Sequence, residues 1–295
     1  MSISAISEIV LRSEDPLKTA AFLTSFGTAV EWLPPIPLDQ ARRWYGADRE
    51  LQQLRVATPA TRGAVRVLES ITPLRRLRPF TEGGYGIDFY TSDVQFASHT
   101  VARRGHLPAP PLAWFEEKEE LIEARLEDPT GTYAVFLPQM DQVSRLHPSL
   151  IDITPNRLYS ELCMTSWIIK REDREAERDF WGEQLGLRSV IDTDMDATDM
   201  GTLMGHVPAP LHSMQFALDG SPCLIDLLSY ELGQVTSADP QTSAISAIVL
   251  DTSPDMAAKI SGGEVPEEAN RGRGREKVVR TQSPSGIPLE LWSTR

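Results

Sequence analysis

Only two cysteines, Cys163 and Cys223, occur in 295 residues. No disulfide framework is implied, and both lie in apolar, strand-like runs where a buried, inert thiol is expected. Histidine is nearly as scarce, at five; His99, His106, His147 and His206 stand in helix or loop contexts without metal-ligand spacing. Basic residues are in deficit, 29 Lys and Arg against 42 Asp and Glu, and the formal charge of −13 argues against a nucleic-acid backbone as partner. No apolar run approaches the roughly 20 residues that span a bilayer, and the first residues lack the charged-then-apolar layout of a signal peptide. A cytoplasmic protein without a membrane partner is the expectation. P-loop, dinucleotide fingerprint, nucleophile elbow and CxxC are all absent. What remains is 41% hydrophobic and 24% charged, enough apolar sequence for two domains of roughly 100–200 residues each.

The chain repeats itself. Ile9-Val10-Leu11 runs through Asp15 into a helical stretch carrying Phe22 and Gly27, and Trp167-Ile168-Ile169 runs through Asp173 into another carrying Phe180 and Gly186. Asp15 and Asp173 lie 158 residues apart, as do Phe22 and Phe180. A second pair of similar segments, residues 86–92 and 247–253, brings Thr91 and Thr252 into correspondence 161 residues apart. Two element pairs at nearly one offset imply a duplicated two-module half.

Each module reads as strand, helix, then strands. Asp15-Pro16 is placed as N-cap and first helical residue. Residues 51–57 and 63–68 read as strands across a turn, and the last strands of modules two and four follow Asp128-Pro129-Thr130-Gly131 and Ser283-Pro284-Ser285-Gly286. Proline presets φ and glycine admits φ > 0, so these are turns with a mechanism. The polar, Pro-containing stretch 141–156 reads as a linker between halves 1–140 and 157–295. Asp192 to Met200 reads as a loop; Asp192, Asp194 and Asp196 copy the opening of a calcium loop, but Ala197 and Leu203 occupy its glycine and glutamate positions, so calcium is not expected. The basic stretch Arg271 to Lys277 reads as a solvated loop.

On these residues the chain resembles the vicinal oxygen chelate superfamily, which includes glyoxalase I, bleomycin-resistance proteins and type I extradiol dioxygenases. The resemblance covers nearly the whole chain. It implies an α+β fold of four βαβββ modules paired into two domains whose sheets curl around ligand cavities, in the two-halves arrangement of the extradiol dioxygenases. It also implies that chemistry sits in the C-terminal half.

Metal-dependent members take their ligands, usually two His and one Glu, from the first and last strands of paired modules. Here the corresponding first-strand positions are Glu8, Gly86, Ser166 and Ala247, and the last-strand positions are Arg66, Val135, Asp226 and Glu290. None is histidine. Carboxylates alone suit an iron site poorly, so no cofactor is expected, with a divalent metal held by atypical ligands as the alternative. Glu8 and Arg66 read as an ion pair.

Strand alternation then lines the expected C-terminal cavity. Asp226 and Glu290 share it with Trp292, Pro288, Leu224 and Leu228; Ser166 brings Met164 and Ile168; His212 brings Met214 and Phe216. Asp88 and Tyr90 share a face with Gly86. The expected function is a small-molecule enzyme (a lyase, isomerase or dioxygenase-like protein) acting on an aromatic or polyketide-like compound by acid/base chemistry through Glu290, Asp226 and His212, with Ser166, Trp292, Met164, Met214 and Phe216 holding substrate. The alternatives are a non-catalytic ligand-sequestering protein and a metal-dependent dioxygenase or lyase. A homodimer stays open.

Overall fold

The structure is a computed structural model that describes residues 2–59, 63–116, 119–139, 157–231, 235–272, 274 and 276–293. Module one comprises β1 (Ile3–Ser13), α1 (Pro16–Leu23), β2 (Ala29–Trp32), α2 (Leu38–Tyr45), β3 (Gln53–Ala57) and β4 (Ala64–Glu69). Module two comprises β5 (Gly83–Thr91), α3 (Val94–Arg103), β6 (Leu112–Glu116), β7 (Glu119–Glu127) and β8 (Ala134–Pro138). Module three comprises β9 (Tyr159–Ile168), α4 (Arg174–Arg178), β10 (Arg188–Met195), α5 (Ala197–Met204), β11 (Leu211–Ala217) and β12 (Leu224–Tyr230). Module four comprises β13 (Ile245–Thr252), α6 (Pro254–Ile260), β14 (Glu267–Ala269), β15 (Glu276–Gln282) and β16 (Pro288–Ser293).

Local chemistry starts several elements where the sequence places them. Asp15 caps α1 by accepting from the Lys18 backbone N–H at 3.0 Å, with Pro16 at the first helical position. Asp93 does the same for α3 through Phe96. The turn before β8 closes on the Asp128 carboxylate, which accepts from the backbone N–H groups of Thr130 and Tyr133, while Gly131 takes φ 68°. The residues read as one loop after Asp192 are in fact the end of β10 and then α5, whose N-cap Asp196 accepts from Thr198 and Asp199. The proposed linker, 141–156, lies outside the described residues.

The strands form two curled eight-stranded sheets, and the four-module architecture is the one expected. Which modules share a sheet differs from the sequence reading. The first sheet runs β14-β15-β16-β13-β1-β4-β3-β2, joining module four to module one; the second runs β10-β11-β12-β9-β5-β8-β7-β6, joining module three to module two. The seams are antiparallel pairs of first strands: Glu8 opposite Val249 in one sheet, Gly86 opposite Ser166 in the other. Each sheet therefore draws on both halves of the chain. The consequence is that Asp226, on β12, and Glu290, on β16, belong to different sheets.

Helices α1 and α3 and the helical segment Asp179–Gln184 that carries Phe180 and Trp181 contribute to one continuous core that includes Phe22, Phe26, Phe89, Trp181 and Phe216. Gly84 is required where the sheets approach: a Cβ there would lie 2.3 Å from the Cβ of Ile245 on β13. Concave faces on the other side of each sheet form two cups.

Candidate active site

The first cup is filled with charge. Glu8, Arg66 and Glu290, from β1, β4 and β16, are each at most 1% exposed. Arg66 sits between the two carboxylates, with Nε 3.2 Å from Glu8 Oε2 and a hydrogen bond to Glu290 Oε2. The sequence-level ion pair is thus one side of a triad. Tyr45, on α2, donates to Glu290 Oε1 at 3.1 Å, and the Trp292 indole N–H donates to Oε2 at 3.0 Å. Arg55 lies 3.5 Å from Glu8 and Arg280 lies 3.7 Å from Glu290. Burial alone opposes ionisation of Glu290, but the Arg66 and Arg280 guanidiniums and the Trp292 N–H outweigh it and hold the carboxyl down at about 2. Glu290 is therefore held as a carboxylate inside a buried ion cluster.

Arg271 corrects another expectation. It is not in a solvated loop: at 1% exposure it bonds Glu276, Asp251 and Ser7 and stacks on Trp292 with its guanidinium 4.7 Å from the ring centroid.

The second cup has a different chemistry. Its cavity, of about 60 Å³, is lined by Asp88, Tyr90, Glu123, Met164, Ser166, Ser213, Gln215 and Asp226, closed over by Met195, Met200, Leu203 and Met204 at the end of β10 and along α5. Asp226 is 5% exposed and accepts from Ser213 Oγ at 2.7 Å. Burial pushes its carboxyl up to about 7, with the hydroxyls of Ser213 and Ser166 pulling the other way but not enough to cancel it. No guanidinium or ammonium among the described residues lies within 4 Å of it. An acid poised between protonated and ionised near neutrality can give or take a proton.

Of the residues singled out in the sequence, Asp226, Ser166, Met164 and Leu228 meet in this second cup, joined by Asp88 and Tyr90. Glu290 and Trp292 lie in the first cup, away from them. His212, Met214 and Phe216 do not face the cavity. β11 runs antiparallel to β12 with Gln215 opposite Asp226 and Ser213 opposite Leu228, and directly opposite residues share a face. The inward set on β11 is therefore Leu211, Ser213 and Gln215, one residue out of phase with His212. Met214 and Phe216 are core residues on the opposite face. Carrying parity from Asp226 across the hairpin turn, rather than starting from the histidine, would have found Ser213 and Gln215. Glu123, on β7, had no such signal.

His212 stands at the sheet's rim, its ring nitrogens 2.7 Å from Asp194 and 2.8 Å from Asp192. With Asp194 and Glu231 it makes the one group among the described residues whose donor atoms converge closely enough for a metal ion. Glu231 is already engaged by Arg171 and Arg174.

No protein-family model matches the chain, and none of the curated proteins does. Solved structures do. Two variants of glyoxalase I from Zea mays align over 99% of this chain and 92% and 93% of theirs, at 17% and 15% identity with TM-scores of 0.60 and 0.61. A proposed dioxygenase from Bacillus subtilis aligns over 99% of this chain and 86% of its own at 11% identity, TM-score 0.59. The chain has the glyoxalase fold. At these identities the likeness is one of architecture, and one architecture hosts many chemistries.

Members of the vicinal oxygen chelate superfamily commonly hold a metal at the strand positions already named, and the residues here do not fit one. In the first cup the four positions are Glu8, Arg66, Ala247 and Glu290, and the guanidinium of Arg66 lies between the carboxylates that would be ligands. In the second they are Gly86, Val135, Ser166 and Asp226. A Cβ on Gly86 would lie 2.5 Å from the Phe136 ring, so that position is filled by a neighbour's side chain. Asp226 is the one ionisable group at these positions, and although Asp88 and Glu123 also line the cup, their carboxylates do not converge with it closely enough for a metal ion. Cys163 and Cys223 are buried, and burial pushes both thiols well above their usual range, as expected of inert cysteines. Among the described residues no helix is long and apolar enough to cross a membrane.

Proposed function

We propose that this glyoxalase-fold protein is a small-molecule enzyme whose second cup performs acid/base chemistry through Asp226, without a conventional metal centre. The observation that carries this reading is the neutral-range carboxyl of Asp226, held by Ser213 at 2.7 Å in an otherwise mostly apolar cavity. Ser166 and Met164 flank it on the adjoining β9. Phe136 and Tyr90 give the cavity aromatic wall, which suits an aromatic or polyketide-like substrate. The step Asp226 supports is proton transfer at an acidic carbon or hydroxyl of that substrate, as in isomerases and lyases.

The test begins with mass spectrometry of compounds that co-purify with the protein, followed by incubation of each with enzyme in heavy water. Wild-type protein should exchange a carbon-bound proton of its ligand, and Asp226→Asn should bind that ligand with similar affinity while losing exchange. Exchange by Asp226→Asn at the wild-type rate would remove Asp226 from the mechanism. Elemental analysis should find no stoichiometric iron, manganese or zinc; about one equivalent per chain, lost together with exchange on chelation, would establish the metal-dependent alternative.

Sequestration is the second reading, favoured by the methionines. Met164, Met195, Met200 and Met204 line one cavity, and unbranched, polarisable thioethers adapt to ligands of varied shape. Tight binding with no exchange in wild-type protein would decide for it.

A further inference from the structure

Between modules one and two the chain reads Leu74-Arg75-Arg76-Leu77-Arg78, a run of guanidiniums in a protein whose formal charge is −13. Arg76 and Arg78 are exposed, as a solvated connection requires, but Arg75 is half-buried. Its backbone N–H donates to the Thr242 carbonyl at 2.9 Å, and its side chain lines a cavity of about 140 Å³ where the two sheets meet. Gly83 and Ile168 reach that cavity from one sheet, and Ser246, Gln282 and Pro288 from the other.

The guanidinium is seated there without a counter-charge. Nη2 donates to the Glu82 carbonyl, which fixes the group in place. Of its five N–H donors, those on Nε and Nη1 meet no acceptor in the protein, and neither nitrogen is sealed from solvent. Glu82, the one acid lining the cavity among the described residues, pairs with Lys170 at 3.4 Å and not with Arg75. Gly83 makes the room. It takes φ 113°, and a Cβ there would lie 2.9 Å from Arg75 Nη2 and 3.6 Å from Ser243 Oγ, so a side chain would push the guanidinium from its seat.

Taking a cation partly out of water without a partner costs free energy. Burial and then the neighbouring Arg78 push the Arg75 guanidinium below its ordinary range, and an anion in the cavity relieves both. One uncommitted guanidinium beside a carboxylate matches a single negative charge better than two. Exposed Gln282 and Pro240 and half-buried Pro288 frame the opening with an amide and apolar rings.

We infer that this cavity is a binding site for a small organic monocarboxylate, whose carboxylate accepts from the free N–H groups of Arg75 and whose apolar end lies along Pro240 and Pro288. The site is separate from both cups and independent of Asp226.

The probes are benzoate, benzamide, which has the same ring without the charge, and inorganic phosphate, each titrated calorimetrically against the full chain. Benzoate should bind saturably with a Kd under about 1 mM, and benzamide at least about tenfold more weakly. Arg75→Met should bring benzoate down to the affinity of benzamide, while Arg76→Met, on the exposed side of the same segment, and Asp226→Asn should change nothing. The comparison of benzoate with benzamide on wild-type protein needs no variant to fold. A benzoate Kd above about 10 mM, equal affinity for benzoate and benzamide, tighter binding of phosphate than of benzoate, or an equal loss in Arg76→Met would each overturn the assignment.

Discussion

The two cups are built from different copies of one kind of module and bury the same kind of residue at the same strand position, yet they treat it oppositely. Glu290, on the last strand of module four, meets two guanidiniums, a phenol and an indole N–H and is held at about 2. Asp226, on the last strand of module three, meets two serine hydroxyls and rises to about 7. Burial raises both. What separates them is the cation, because within a low-dielectric cup a guanidinium in contact outweighs desolvation and a hydroxyl does not. One cup has thereby become an internally neutralised wall, while the other keeps a carboxyl whose proton can move.

Breaking the first cup should have the largest effect. Arg66→Met leaves Glu8 and Glu290 buried without their central cation, and a loss of about 3–5 kcal/mol in urea unfolding is expected. Adding Glu8→Gln and Glu290→Gln to it should recover most of that, since replacing a whole buried cluster is far less costly than breaking it. A loss under 1 kcal/mol for Arg66→Met alone, about the worth of an exposed pair, would show that the cup is open to water.

The second cup responds through pH. A folded-state carboxyl raised above its unfolded value binds a proton more tightly when folded, so Asp226 lowers stability as pH rises from about 3.8 to about 7. Asp226→Asn should therefore flatten stability over that window and stabilise the protein near pH 8, by on the order of 1.4 kcal/mol for each unit of true shift. Glu290 has the opposite sign: its contribution is complete above the ordinary glutamate range and is lost as pH falls toward 2. Glu290→Gln should accordingly remove slope from the acid limb of unfolding and leave the neutral limb alone. Identical pH profiles for the two variants would erase the contrast between the cups.

The smallest effect concerns packing. Gly86→Ala drives a methyl to 2.5 Å from the Phe136 ring, and a loss of about 1–3 kcal/mol is expected from overpacking. Pairing it with Phe136→Leu should restore part of that loss; an additive double variant would show that the ring does not fill the Gly86 position.

Much of the fold is local and was readable. Repeats at one offset, the Asp15-Pro16 cap and the turns before β8 and β16 depend only on neighbours along the chain, and each is found where the residues imply it. Asp226, Ser166 and Met164 could be placed in a cup because alternation within a strand is fixed by backbone geometry. His212 was misplaced because alternation gives two equivalent choices of face, and only the register of β11 against β12 selects one.

The sequence by itself determined four strand-helix-strand modules, the missing histidines and the acids within β12 and β16. Only the tertiary structure decided that module one closes on module four and module two on module three, which puts Glu290 beside Arg66 and leaves Asp226, among the described residues, without a cation in contact. The physical reason is that seams between first strands are made by backbone hydrogen bonds, which carry no residue code, and are chosen by packing between segments far apart in the chain, such as Gly84 against Ile245.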